Sequence, residues 1–84
     1  MGKIFVQYRG AMADLTGLEQ EEVNAERVQE VVRHIRRAHG SEAARLSKTL
    51  LITVNQTSIL LLQGWRTPLW AGDVVSFLPI CGGG

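Results

Sequence analysis

The positions of the apolar residues along this chain predict one main helix with strand-like segments on both sides of it. Between residues 25 and 39, apolar side chains recur three and four positions apart, which places them on one helix face. Asn24 is a candidate N-cap for this helix, and Gly40 suits a left-handed stop at its other end. The apolar face consists of Val28, Val31, Val32 and Ile35. We expect this face to pack on a sheet.

Short apolar segments flank the helix and predict the strands of that sheet. They lie at residues 4–8, 18–23, 50–54, 59–62 and 74–78, with a loop at 10–17 and a short helical turn at 41–46. In the first segment, Ile4, Val6 and Tyr8 share one face. The order of these segments predicts a single α+β domain in which a mixed sheet of four to five strands packs on one main helix.

The second face of this sheet is expected to be apolar as well. One helix covers only one face, yet the strand-like segments carry apolar residues at consecutive positions. Uncovered apolar surface usually marks a partner site. The candidate partner-binding residues are Phe5, Leu51, Val75 and Phe77. The alternative is that loops cover this face, with one or both of Trp65 and Trp70 folded over it.

The composition is that of a globular protein with one core: the 84 residues are 45% hydrophobic and 20% charged. The net charge of +1 gives no overall field for nucleic acid or an anionic membrane, and Arg33, Arg36 and Arg37 are interpreted as a solvated helix face. Cys81 is the single cysteine, so no intramolecular disulfide can form. No apolar signal segment begins the sequence, and the longest apolar run, residues 59–62, is too short to span a bilayer. These features predict a protein of the reducing cytoplasm.

The sequence shows no catalytic constellation. His34 and His39 are five positions apart on the predicted helix, and we interpret them as solvent-facing or helix-end residues rather than metal ligands. There is no cysteine pair for zinc and no glycine-rich loop that enters a helix to bind phosphate. Cys81 has no base beside it in the sequence. We therefore expect no metal, no permanently bound cofactor and no catalytic site in the domain itself.

The C-terminal segment is the remaining candidate for chemistry. Residues 1–79 are predicted to form the folded domain, and residues 80–84 (ICGGG) a flexible tail that follows the last strand almost at once. A glycine tail can pass through a channel too narrow for any Cβ and carry a terminal carboxylate into another protein's active site. In this view the reactive residue is Gly84, and the tail-binding residues are Cys81, Gly82 and Gly83. An inert tail is the alternative.

The last third of the chain resembles the signature of a known family. Residues 67–79 (TPLWAGDVVSFLP), followed by the closing Gly83-Gly84, are similar to the MoaD/ThiS-type ubiquitin-like sulfur carriers, which include the small subunit of molybdopterin synthase. Residues 52–55 (ITVN) resemble the strand and turn that these proteins place upstream. The resemblance implies a β-grasp, ubiquitin-like fold.

The resemblance also implies a defined chemistry at Gly84. An activating enzyme related to ubiquitin-activating enzymes uses ATP to adenylate the terminal carboxylate, and a sulfur donor converts it to a thiocarboxylate. The thiocarboxylate then donates sulfur to a partner such as the large subunit of molybdopterin synthase. The sequence departs from the usual family pattern at Gln56, Ile80, Cys81 and Gly82, but the tail length is unchanged.

The tail chemistry fits more than one pathway. Synthesis of molybdopterin, for the molybdenum or tungsten cofactor, is the first hypothesis. Carriers for tRNA thiolation, thiamin or cysteine synthesis end in the same way, and so does a ubiquitin-like modifier joined to lysines of other proteins. The alternative outside this chemistry is a plain β-grasp interaction module.

Overall fold

The computed structural model describes residues 2–80 and shows the α+β fold that the sequence predicts. Its strands are β1 (Gly2–Tyr8), β2 (Gln20–Ala25), β3 (Leu51–Val54), β4 (Thr57–Ser58) and β5 (Val74–Leu78), and its helices are α1 (Ala11–Thr16), α2 (Val28–His39) and α3 (Ser41–Ser47). Two short 3-10 turns span Ile59–Leu61 and Gly64–Arg66. Within residues 2–80, no helix combines the length and the apolar character needed to cross a membrane.

The five strands form one mixed sheet in the order β2-β1-β5-β3-β4. The first and last strands are parallel neighbours at its centre, and the other neighbouring pairs are antiparallel. In β1, Ile4, Val6 and Tyr8 are fully buried, as their alternation predicts. Because β5 is the central strand, Pro79 and Ile80 follow directly from the middle of the sheet.

The main helix buries the face that its periodicity predicts. All four residues of the stripe lie in the core: Val28, Val31, Val32 and Ile35. The predicted start of the helix was wrong, because α2 begins at Val28. Asn24 lies in β2, where it pairs with Lys3 of β1 instead of acting as an N-cap. Burial of Val23 and Ala25 on the sheet keeps this segment extended.

Two further elements differ from the sequence prediction. The predicted loop at residues 10–17 contains α1, which buries Met12 between two glycines of positive φ, Gly10 and Gly17. The predicted strand at residues 59–62 is a 3-10 turn, in which only Ile59 is buried. β3 forms a hairpin with β4, and the tight turn between them consists of two residues with positive φ, Asn55 (50°) and Gln56 (74°).

Candidate functional site

The outer face of the sheet, opposite α2, carries two pairs of apolar residues. Phe5 of β1 lies beside Val74 of β5, and Leu51 of β3 lies beside Leu78 of β5. Phe5 is 40% exposed, and Leu51 also keeps more than a third of its surface accessible. Both residues therefore lie on the open face where the sequence placed them, and their contact with a partner stays a prediction.

The other two candidate partner-binding residues were assigned to the wrong face. Val75 and Phe77 are fully buried, because the parallel pairing places them beside Val6 and Tyr8 on the side that faces α2. Successive strand residues point to opposite faces, so an error of one position exchanges the two faces. The partly exposed residues of β5 are Val74, Ser76 and Leu78.

The two apolar pairs do not merge into one patch. A polar row separates them, in which Ser76 Oγ donates a 3.2 Å hydrogen bond to Gln7 Oε1, and Thr53 lies beside Ser76. Loops do not cover the whole of this face, since Phe5 and Leu51 stay accessible, and Trp70 is largely exposed. The outer face is thus open but less apolar than the sequence predicted.

A groove begins where β5 ends. Ile80 is 63% exposed and lines this groove of about 340 Å³ together with Leu51, Ile59, Leu60 and Trp65. We call these five residues the tail-base groove. Leu60 is 84% exposed, and together with Ile80 it adds accessible apolar surface to the groove. The groove offers an apolar contact directly beside the first residue of the predicted tail.

A tight turn fixes the position from which β5 starts. The Asp73 carboxylate accepts hydrogen bonds from the Trp70 amide at 2.8 Å and from Asn55 Nδ2 at 3.0 Å. Gly72, at φ 92°, donates its amide to the Lys3 carbonyl. This turn joins the β3–β4 hairpin to β1 and so holds the register of the strand that leads to the tail.

The predicted reactive and tail-binding residues lie outside the described part of the chain. These residues are Cys81, Gly82, Gly83 and Gly84. Their roles, and the boundary between a folded domain at 1–79 and a flexible tail at 80–84, remain predictions. The structure describes Ile80, which is exposed at the end of the central strand.

The comparisons with known proteins identify the family. The family model described as the ThiS family matches residues 6–84, which is nearly the whole sequence. This chain belongs to the ThiS family. No curated protein sequence matches it.

Solved structures resemble this ThiS-family protein over almost its entire length. CysO, in the Amycolatopsis orientalis BexX/CysO complex, gives a TM-score of 0.82 at 23% identity, covering 96% of this chain and 99% of that one. The small archaeal modifier protein 1 of Methanosarcina acetivorans gives 0.78 at 19% identity, with 100% and 98% covered. A putative molybdopterin converting factor subunit 1 from Pyrococcus furiosus gives 0.72 at 23% identity, with 94% and 98% covered. These likenesses confirm the predicted β-grasp fold.

The structure of this ThiS-family protein also contains a polar cluster that the sequence analysis missed. Glu21 of β2 contacts two residues of α2, His34 and His39, and accepts a 2.5 Å hydrogen bond from the Tyr8 hydroxyl. His39 ends α2 as expected, but both imidazoles face Glu21 instead of being independent surface groups. The five-residue spacing of His34 and His39 does not predict this cluster, because their shared partner, Glu21, lies on β2.

The cluster shifts the pKa values of two of its members. Burial alone raises the pKa of the Glu21 carboxyl, but hydrogen bonds from Tyr8 and His39 and the electrostatic effect of the nearby His34 ring outweigh it and hold the pKa below its usual value. Burial, and then the hydrogen bond to Glu21 and its negative charge, raises the pKa of Tyr8 well above the usual range. Tyr8 is therefore a permanent hydrogen-bond donor to an ionised Glu21 at neutral pH.

Proposed function

We propose that this protein is a sulfur carrier whose reactive group is the terminal carboxylate of Gly84, and that it serves molybdopterin synthesis for the molybdenum or tungsten cofactor. The observation that carries the proposal is the family match, which extends through the glycine tail to residue 84. The position of β5 supports it, because the central strand of the sheet leads directly into that tail.

The proposed reaction needs chemistry that a partner must supply. The Gly84 carboxylate attacks the α-phosphorus of ATP on an activating enzyme, and pyrophosphate leaves. A sulfur donor at the oxidation level of hydrosulfide then attacks the acyl carbon of the adenylate, the bond from that carbon to the phosphate oxygen breaks, and AMP leaves. The resulting thiocarboxylate is a nucleophile that gives its sulfur to an acceptor bound by a second partner. In this scheme the carrier holds no permanent cofactor, and ATP belongs to the activating enzyme.

The exposed apolar residues supply a docking surface for these partners. Ordering the tail costs about 1–2 kcal/mol for each residue that becomes fixed. Full burial of one large apolar side chain contributes about 1.5–3 kcal/mol. Leu60, Ile80 and Phe5 are exposed enough that covering them offsets the ordering of several tail residues. We therefore assign the tail-base groove and the outer sheet face to the activating enzyme and to a sulfur acceptor such as a molybdopterin synthase large subunit.

The choice of pathway rests on one structural likeness, because the tail chemistry is common to all the candidate pathways. The similar Pyrococcus furiosus protein is described as a molybdopterin converting factor subunit. The second candidate is a ubiquitin-like modifier, favoured by the similarity to a small archaeal modifier protein. Carriers for cysteine synthesis, tRNA thiolation or thiamin use the same tail chemistry.

Two mass measurements test the proposal. Intact mass of the protein from its own cell establishes whether Gly84 ends the mature chain and whether sulfur has replaced an oxygen there. With a cognate activating enzyme, ATP and a sulfur source, followed by the large subunit and the pterin precursor, we expect thiocarboxylate and then molybdopterin. Branched glycine peptides on lysines, with no molybdopterin, would replace the carrier proposal by the modifier.

A further inference from the structure

Two histidines of α2 converge on one carboxylate of the neighbouring edge strand. Glu21 lies on the helix-facing side of β2, in the same alternation as buried Val23. His39 Nε2 lies 2.8 Å from Glu21 Oε2, and His34 Nε2 lies 3.3 Å from Glu21 Oε1. A single carboxylate therefore stands between two imidazole nitrogens.

His34 Nε2 lacks a satisfactory partner in this arrangement. The atom is shielded from solvent and makes no well-aligned hydrogen bond within residues 2–80, despite its 3.3 Å separation from Glu21 Oε1. The other carboxylate oxygen is used twice, since Oε2 contacts both the Tyr8 hydroxyl and His39 Nε2. Buried polar atoms normally have a partner, and a cation between the two rings would supply one.

The spacing of the ligand atoms is close to what a small divalent cation requires. One atom from each of Glu21, His34 and His39 lies within 4.8 Å of the other two. Zinc bonds of about 2.0–2.2 Å place two ligands of a tetrahedral ion about 3.3–3.5 Å apart. To bind zinc, the 2.8 Å distance between His39 Nε2 and Glu21 Oε2 must lengthen slightly, and the longest distance among the three ligand atoms must shorten. Side-chain rotation can achieve both changes. The two imidazole rings are already nearly perpendicular, at 77°.

We propose that Glu21, His34 and His39 bind a divalent transition-metal ion such as zinc, with water in the remaining coordination position. Imidazole and carboxylate groups are usual ligands of zinc. The Tyr8 hydroxyl, which donates to Glu21 Oε2, orients the carboxylate from outside the coordination sphere. The bound ion ties the end of α2 to β2, on the face opposite Phe5, so this site is separate from the surface assigned to sulfur transfer.

Calorimetric titration with zinc chloride tests the site. The sample is the chelator-treated full chain carrying Cys81→Ser, which removes the only thiol. We expect one zinc ion per chain and, at free zinc about 100 times Kd, a rise in Tm of about 10 °C or more. In the same protein, zinc should shift the imidazole NMR signals of both His34 and His39, a readout that needs no further variant.

Variants then identify the ligands. Removing an outer partner of a metal ligand costs about 10–100-fold in affinity, so Tyr8→Phe should weaken zinc binding within that range and His34→Gln or His39→Gln by more. The matched control is Glu22→Gln, since Glu22 is the next carboxylate along β2 but pairs with exposed Lys3. It should bind zinc as the Cys81→Ser parent does.

The outcomes separate a metal site from a hydrogen-bond network. The site is supported if zinc raises the Tm of Glu22→Gln but not that of either histidine variant. Each variant is compared with its own metal-free form. Absence of zinc binding to the Cys81→Ser parent, or equal binding after both histidines are replaced, overturns it. In that case the cluster is a hydrogen-bond network only.

Discussion

Val6 of β1 and Val75 of β5 lie side by side in a parallel pair of strands, and both are fully buried. This pairing decides which side of β5 faces the helix. It places Phe77 beside Tyr8, with ring centroids 6.0 Å apart, and leaves Phe5 on the opposite face. Stability and partner binding should therefore separate between the two faces of the sheet.

Truncation on the buried face should be far more costly than truncation on the outer face. Phe77→Ala should lower the free energy of unfolding by about 3–5 kcal/mol, because it leaves a cavity in the core. Phe5→Ala forfeits only part of the about 1.5–3 kcal/mol that full burial of such a side chain provides. Urea unfolding at equilibrium measures both values. Equal losses would contradict the assignment of faces.

A charge in the tail-base groove should weaken activation without harming the fold. Leu60→Asp changes a side chain that is 84% exposed, so Tm should stay nearly constant while KM for the activating enzyme rises at least several-fold. The matched control is Leu61→Asp, one position further along, 79% exposed and not part of the groove. If the two variants behave alike in thiocarboxylate formation, the groove is not the docking surface.

The single tyrosine should resist ionisation until the protein unfolds. Burial and contact with Glu21 raise the pKa of Tyr8 above its usual value of 10.0. Its contribution to stability is thus complete below pH 10.0 and decreases as the pH rises beyond it. Tyrosinate absorbance measured beside near-ultraviolet circular dichroism should show both changes together. Reversible ionisation of Tyr8 near its usual pKa, with the protein still folded, would contradict this prediction.

Glu21 should stabilise the protein at neutral pH and lose this effect in acid. Its pKa is held below the usual value of 4.5, so the contribution is complete above that value and disappears as the pH falls through the lower, folded-state pKa. In the presence of a chelator, Glu21→Gln should cost about 1.5–3 kcal/mol at neutral pH, the range for hydrogen bonds to a charged group. Unfolding measured across the acid range should show the gap between the two proteins closing. A difference in unfolding free energy between the two proteins that grows in acid would contradict the lowered pKa of Glu21.

The sequence predicted the main helix, four of the five strands and the family more reliably than it predicted which strand residues face the helix. The stripe of α2 has a period that only a helix satisfies, so Val32 and Ile35 were assigned correctly. In β5, Val74 and Val75 are both apolar, as are Phe77 and Leu78, so alternation could not show which residue faces inward. The parallel pairing with β1 decided it, and that pairing joins the two ends of the chain.

The polar cluster was hidden for a related reason. His34 and His39 do not share a helix face, and only the register of β2, which places Glu21 beside Val6, brings them to one carboxylate. The segment containing Glu21 carries three glutamates within residues 18–23, and glutamate is depleted in strands. A glutamate alternating with inward-facing Val23 and Ala25 was the available signal that one carboxylate points toward the helix.

The central claim is that the terminal carboxylate of Gly84 is the reactive group. Any residue permanently appended after Gly84 converts that carboxylate to an amide, which cannot attack ATP. Deletion of Gly84 shortens the reach by about 3.3–3.6 Å, a large error where reacting atoms must lie within about 3–3.5 Å. Cys81→Ser is the matched control and should react normally, since this thiol has no activating base in the sequence.

The direct test is the intact mass after incubation with ATP, the cognate activating enzyme and a sulfur source. The unmodified chain and Cys81→Ser should both gain sulfur in place of oxygen. The appended variant should show no gain and the deletion variant almost none, while all of them keep the same Tm because the changes lie outside the described core. Sulfur gain in the appended variant, with the added residue still present in the measured mass, would contradict the account.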